Sequence, residues 1–157
     1  MFSVENFKPV KDLSTFESMY LKALDKIKKE SEQKRQLFDS YKKSCVFNKS
    51  IFIYKKNNET VGFCMYEKTE DEFFLIFDYA EKGAGRKCRT ELVNVLKKIT
   101  PEFKFFVSKS NFLSKNSVKK VYKKHFNSVF LREENRYAST GGLQRRKIFE
   151  KQPTKAT

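Results

Sequence analysis

Apolar residues recur at helical spacing in the first part of the chain and at strand spacing from residue 46 onward. Residues 2–8 (FSVENFK) alternate weakly and predict a first strand that ends near Pro9. In KDLSTFESMYLKALDKIKKE, the residues Phe16, Met19, Tyr20, Leu24 and Ile27 form one stripe of a helix. Ser14 or Thr15 offers the N-cap, and Glu17, three residues after Ser14, completes a capping-box pattern. SEQKRQLFDSYKKSC continues as a second helix or a bent extension of the first, with Leu37, Phe38 and Tyr41 inward, and the polar KKESEQKR marks a break or a solvated turn.

VFNKSIFIYKK, starting at Val46, is dense in β-branched and aromatic residues and predicts a strand. The Asn57-Asn58 pair in KNNET tolerates positive φ and predicts a tight turn, with TVGFCMYEK returning as the partner strand. After TEDE, FFLIFDY is apolar throughout, as expected of a central strand covered by helices on both faces. RKCRTELVNVLKKI predicts a helix with Leu92, Val95 and Leu96 inward, closed by Pro101. EFKFFVSKS is the next strand, and a right-handed crossover sets it parallel to the strand at 73–78. SKNSVKKVYKKHF predicts a short helix carrying Val118, Val121 and Tyr122, and NSVFLREENRYAST supplies one or two final strands. The pattern therefore predicts a single α/β (α+β) domain over 1–140. Its mixed sheet has about six or seven strands, an antiparallel meander followed by a parallel pair, flanked by about four helices. Residues 141–157 form a basic, Pro-containing tail with the composition of a disordered segment.

Composition sharpens this picture in three ways. The chain has 157 residues, enough for one core, and its 17 Phe and 7 Tyr supply that core with large apolar areas. The formal charge of +15, from 34 basic and 19 acidic residues, suits a polyanion nearby, whether nucleic acid or a phosphate-rich ligand. It equally suits a soluble face whose composition follows AT-rich codons, which favour Lys, Asn, Phe and Ile, and the excess of Lys over Arg tempers specific recognition, because Arg is the better reader of bases and phosphates. Cys45, Cys64 and Cys88 are scattered and His125 is the single histidine, which points away from a structural zinc site and from a disulfide framework. The expected setting is a reducing one: the cytoplasm of a cell or infected host, or the interior of a virion. MFSVENFKPVKDLS lacks the pattern of a secretory signal, and no apolar run reaches membrane-spanning length, so no membrane contact is expected.

The chain has only 5 glycines, yet two lie one residue apart in YAEKGAGRKCRTELVNVLKKI, between the apolar strand and its helix. A helix N-terminus presents free N–H groups and partial positive charge, and glycine lets an anion approach them closely. Lys82, Gly83, Ala84, Gly85, Arg86 and Lys87 thus make a candidate phosphate cradle. A strand-to-helix turn needing two permissive residues explains the same pair. The segment is neither the Walker pattern nor GxGxxG, since position 88 is Cys.

This segment resembles the acyl-CoA binding motif of the GNAT acetyltransferases, commonly written R/Q-x-x-G-x-G/A. Gly83 and Gly85 fall on its glycine positions, Arg86 on the basic residue that often follows, and Tyr79 on the aromatic just before it. SKNSVKKVYKKHFNSVF is similar to the family's second motif, with Asn116 and Tyr122 at its Asn and aromatic positions. It is also similar to the GNAT-like internal virion proteins of short-tailed phages, which keep the fold and can lack the chemistry. The chain departs from the pattern at Ala80, where the family has Arg or Gln, and at Asn127, where it has Gly. The spacing from Asn116 to Tyr122 is one short of the commonest pattern. The resemblance spans residues 2–139 and implies a GNAT-like fold with the parallel pair splayed at its centre.

It further implies acetyl-CoA as acyl donor, no metal, an unidentified amine as acceptor, and homodimerisation as one oligomeric state. The pantetheine arm would pair with backbone between Leu75 and Asp78, Phe77 included, and Asn116 would join the cofactor-binding set. Tyr122 is the candidate general acid beside the sulfur, and Asp78, at the carboxyl end of the central strand, the candidate base. Both also fit structural roles, Tyr122 as a core residue and Asp78, like Glu72, as a solvated strand-end carboxylate. Cys88 has no partner that would make it a nucleophile, and His125 reads as a surface or packing residue. Two functions follow: an N-acetyltransferase-like protein, or a noncatalytic member of the fold. The latter would contact nucleic acid through the lysine runs at 25–29, 97–98, 119–124 and 145–151 by counterion release, with aromatics available for stacking.

Overall fold

The structure is a computed structural model that describes residues 1–26, 32–99, 104–108, 122 and 129–132. Within them the chain runs β1 (Phe2–Asn6), α1 (Pro9–Lys26), α2 (Glu32–Asn48), β2 (Ile51–Lys56), β3 (Glu59–Lys68), β4 (Glu72–Ala80), α3 (Gly85–Ile99), β5 (Lys104–Ser108) and β6 (Val129–Arg132). The strands form one six-stranded sheet in sequence order. β1 through β4 are antiparallel neighbours, whereas β4–β5 and β5–β6 are parallel. The mixed sheet and the parallel placement of β5 agree with the sequence pattern. Three helices are described. Of the expected fourth, only Tyr122 lies within the described residues, where it is helical. Ile27, Asn116, Val118, Val121, His125, Asn127, the lysine run at 119–124 except Tyr122, and the tail over 141–157 lie outside them.

Two boundaries differ from the sequence pattern. α1 starts at Pro9, well before Ser14. Proline is preorganised for the first helical position, and the Asp12 carboxylate reaches back to accept from the Lys8 backbone N–H at 2.9 Å. The cap is therefore closed by Asp12, and the Ser14/Glu17 pattern lies inside the helix. α2 runs on through Asn48, so Val46, Phe47 and Asn48 are helical where a strand was expected. It ends in a Schellman motif: Ser50 N–H donates to Cys45 O at 2.8 Å and Lys49 N–H to Val46 O at 3.3 Å, with Lys49 at φ 58°. A lysine in this left-handed position gives no glycine signal to stop the helix. The Asn57-Asn58 turn forms as expected, with φ of 51° and 70°.

Two cores sandwich the sheet. On one face, Phe16, Tyr20, Phe38 and Tyr41 from α1 and α2 pack on Phe63, Phe74, Ile76 and Phe77. On the other, Cys88, Leu92, Val93 and Leu96 from α3 pack on Tyr54, Phe73, Leu75 and Phe105. β4 contributes to both, and it is buried from Phe73 to Tyr79. Val95 is only half-buried at the margin of the second core. Register changes within β4: Tyr66 pairs with Leu75 but Met65 with Phe77, so Ile76 is an extra residue, a β-bulge. Ile76 and Phe77 consequently face the same core, and Asp78 turns toward α3.

Candidate functional site

β4 hands over to α3 through a single tight turn. Ala84 N–H donates to Glu81 O at 3.0 Å, and Gly83, third in that turn, has φ 88°. A side chain is strained in that conformation, although nothing lies within 4 Å of the position a Gly83 Cβ would take. Cys88 N–H then donates to Ala84 O at 3.0 Å, which makes Ala84 the N-cap and Gly85 the first residue of α3. By helix geometry, the N–H groups of Gly85, Arg86 and Lys87 have no carbonyl within the helix to bond. The first turn of α3 holds no acidic residue, and the side chains of Lys82, Arg86 and Lys87 are exposed. The Lys87 ammonium sits 5.3 Å from the Phe2 ring centroid, and Lys56 approaches the same ring at 5.5 Å. Glu81 pairs with Lys22 at 3.6 Å.

Gly85 has a second, internal reason. A Cβ there would collide with the Arg89 guanidinium. That guanidinium folds back along the first turn of α3 to bind Asp78, with Nε 3.0 Å from Oδ2 and Nη2 3.2 Å from Oδ1. The Tyr54 hydroxyl, 3.0 Å away, and the Tyr122 hydroxyl, 3.3 Å away, also donate to Oδ2. Asp78, Tyr54 and Tyr122 are all 0% exposed. The structure thus brings the two sequence candidates for catalysis, Asp78 and Tyr122, into direct contact. It also overturns one option for Asp78, since the carboxylate is sealed beneath α3 and not a solvated strand end. Glu72, at the other end of β4, is half-buried, as is Leu37 on α2.

The electrostatics follow from burial beside a carboxylate. The Tyr122 and Tyr54 hydroxyls are pushed well above the ordinary tyrosine range, first by desolvation and then by the Asp78 charge. Both therefore stay protonated as donors at neutral pH. Burial opposes the charge on Arg89, but Asp78 and the surrounding hydroxyls outweigh it and raise its pKa. The Cys88 thiol is pushed up to about 11 by burial and by Asp78, which keeps it a packing residue at neutral pH. All three cysteines are buried thiols outside any disulfide.

The remaining candidates sit along β4 and its turn. Leu75 and Phe77 flank the bulge on opposite faces, Leu75 toward α3 and Phe77 stacked on Phe38 at 4.6 Å. The β4–β5 ladder runs from Glu72↔Lys104 to Leu75↔Val107, and β4 continues past it to Ala80. Asn116 lies outside the described residues. Arg89 and Tyr54 escaped the sequence reading. A signal for Arg89 was present: it falls on the apolar stripe of α3, four residues before Val93 and seven before Leu96. A cation on that stripe calls for a buried carboxylate, and Asp78 is the acid inside the apolar run. Among the described residues no cluster of His, Cys, Asp or Glu could hold a metal ion, and no described helix is long and apolar enough to cross a membrane.

No family model matches the chain, and no curated protein or solved structure does either.

Proposed function

We propose that this chain is an acetyl-CoA-binding, N-acetyltransferase-like protein whose donor sits at the turn between β4 and α3, with an amine of unidentified structure as acceptor. The observation that carries this reading is the turn itself. Gly83 has positive φ with open space beside it, and the N-terminus of α3 follows directly, free of acidic side chains and rimmed by Lys82, Arg86 and Lys87. A pyrophosphate is the ligand chemistry such a turn accepts best. Parallel α/β strands take ligands at their carboxyl ends, and among the described residues the last β4–β5 pair, Leu75↔Val107, lies one residue before the Ile76 bulge. This geometry suits a ligand with phosphates at the turn and an arm running down β4. A bound acyl thioester supplies an activated carbonyl for attack by an amine. The GNAT-like character of the fold and the cofactor-binding roles of Leu75, Phe77, Gly83, Ala84 and Gly85 belong to this proposal.

One observation favours a second reading, a binder of polyanions without turnover. Asp78 and Tyr122 are buried and bonded to each other, so neither offers a free group to an incoming substrate in this arrangement. Calorimetry with acetyl-CoA at low and moderate salt separates the two. Donor binding at the turn predicts micromolar affinity that persists with salt and is lost in Gly83→Val and in Lys82→Glu/Arg86→Glu. A noncatalytic polyanion binder predicts no acetyl-CoA binding, together with nucleic-acid binding that falls steeply with salt.

A further inference from the structure

Among the described residues, one buried side-chain polar atom has no hydrogen-bond partner, Ser108 Oγ. Ser108 is 0% exposed and is the last residue of β5. A buried hydroxyl left unpaired is costly, so an orphan in an otherwise satisfied interior points to a partner that arrives with a ligand. Its place in the sheet defines that partner. Val107, just before it, forms the last rung of the β4–β5 ladder, opposite Leu75. Side chains alternate along β5: Phe105 and Val107 join the core under α3, and Phe106 joins the core under α1 and α2. Ser108 therefore shares the face of Phe106, at the level of the Ile76 bulge in β4. Because β4 and β5 are parallel, Ser108 lies toward the same edge of the sheet from which the Gly83 turn departs. From Ile76 to Ala80 the strand advances about 13 Å at the usual rise per residue.

We propose that Ser108 is a ligand-contacting residue, its hydroxyl donating a hydrogen bond to the acyl carbonyl oxygen of an acyl-CoA. This inference rests on the acyl-CoA reading above. The phosphopantetheine arm, which separates the pyrophosphate from the thioester, spans a gap of the order found between turn and bulge. Toward β4 and along β5 the neighbours of Ser108 on this face, Ile76 and Phe106, are apolar, while its register partner on β6 is Arg132, so on the β4 side an incoming carbonyl would find the Ser108 hydroxyl as its donor. The contact recognises the acyl group and not the nucleotide, so it discriminates acyl-CoA from free CoA.

The test is calorimetric titration of the full chain with acetyl-CoA and, separately, with CoA, for the wild type, Ser108→Ala and Ser108→Cys. Thermal melting of the apo proteins establishes that each variant is folded. Loss of one uncharged hydrogen bond predicts about tenfold weaker acetyl-CoA binding in Ser108→Ala with CoA affinity unchanged. Ser108→Cys, close to isosteric and a weak donor, keeps the proposal testable if the alanine variant does not fold, and falls between the two. Equal acetyl-CoA affinity in wild type and variants overturns the role of Ser108 while leaving the acyl-CoA reading intact. Equal weakening toward both ligands also overturns it, because the contact would then not involve the acyl group. Absence of binding by the wild type to either ligand overturns the acyl-CoA reading, and this inference with it.

Discussion

The Arg89 guanidinium clasps the Asp78 carboxylate through two hydrogen bonds, at 3.0 and 3.2 Å, across the junction of α3 and β4. The pair fixes the first turn of α3 against the central strand. It does so beneath the turn that carries Gly83, so the direction of the helix N-terminus depends on a buried ion pair one turn inside it.

Removing one partner should therefore be expensive. Arg89→Ala leaves the buried carboxylate to the Tyr54 and Tyr122 hydroxyls without its cation, and Asp78→Ala leaves a buried cation. Each is expected to destabilise the fold by about 3–5 kcal/mol. An Asp78→Leu/Arg89→Met double variant should recover much of that loss, since an apolar replacement of a buried pair is often near neutral. Urea unfolding of the three variants measures this; simple additivity of the single losses would show that the pair is not coupled.

The two glycines of the turn should respond differently. At Gly83 there is room but the backbone is left-handed, so Gly83→Ala is expected to cost about 1–2 kcal/mol from conformation alone. At Gly85 the new methyl group would displace the Arg89 guanidinium, with a cost of about 1–3 kcal/mol. In an Arg89→Ala background the Gly85→Ala cost should largely vanish, while that of Gly83→Ala should not change. Chemical denaturation of the five variants, Arg89→Ala alone included, decides.

Much of this architecture was legible in the sequence. The existence of a switch from helical to strand periodicity, though read at residue 46 and found at Ile51, the Asn57-Asn58 turn and the doubly buried β4 all follow from side-chain patterns that local physics dictates. The two misplaced boundaries have specific causes. α2 overran because its stop is a lysine in the left-handed conformation, a choice only the backbone hydrogen bonds to Cys45 and Val46 reveal. α1 began early because the capping acid, Asp12, lies after the cap and not at it. The glycine turn could be located from sequence, but its internal purpose could not. Gly85 makes way for Arg89, and that needs the distance between helix and strand. Ser108 was illegible for the same reason, since a missing partner is a property of packing.

The Schellman lysine offers a stabilising variant. Lys49 at φ 58° bears the strain that glycine avoids, so Lys49→Gly should raise stability by about 1 kcal/mol, measured as a higher urea midpoint with an unchanged slope. A lower midpoint would mean that the lysine stabilises the fold by more than its backbone strain costs.

Alkaline pH should weaken the fold. The Cys88 thiol rises from 9.0 to about 11 and the Tyr66 hydroxyl from 10.0 to about 12, both chiefly through burial, and Tyr54, Cys64 and Tyr122 shift in the same direction. Each group holds its proton more tightly folded than unfolded. Its contribution is therefore complete below the unfolded pKa and is lost as pH climbs toward the folded one. Unfolding free energy should begin to fall near pH 9, by at most about 1.4 kcal/mol per pH unit for each group then titrating. Denaturation at intervals from pH 7 to 11 checks the slope, and Cys88→Ala, if folded, should flatten its earliest part.

The most direct test of the central claim is an amide NMR titration of the full chain with acetyl-CoA. Donor binding at the turn predicts saturable shifts largest at the N–H groups of Gly83, Gly85, Arg86 and Lys87, with smaller changes along β4 toward Leu75. Shifts spread over lysine-bearing surfaces that vanish at moderate salt, or no shift at these amides, would contradict it and leave the turn a structural connection between β4 and α3.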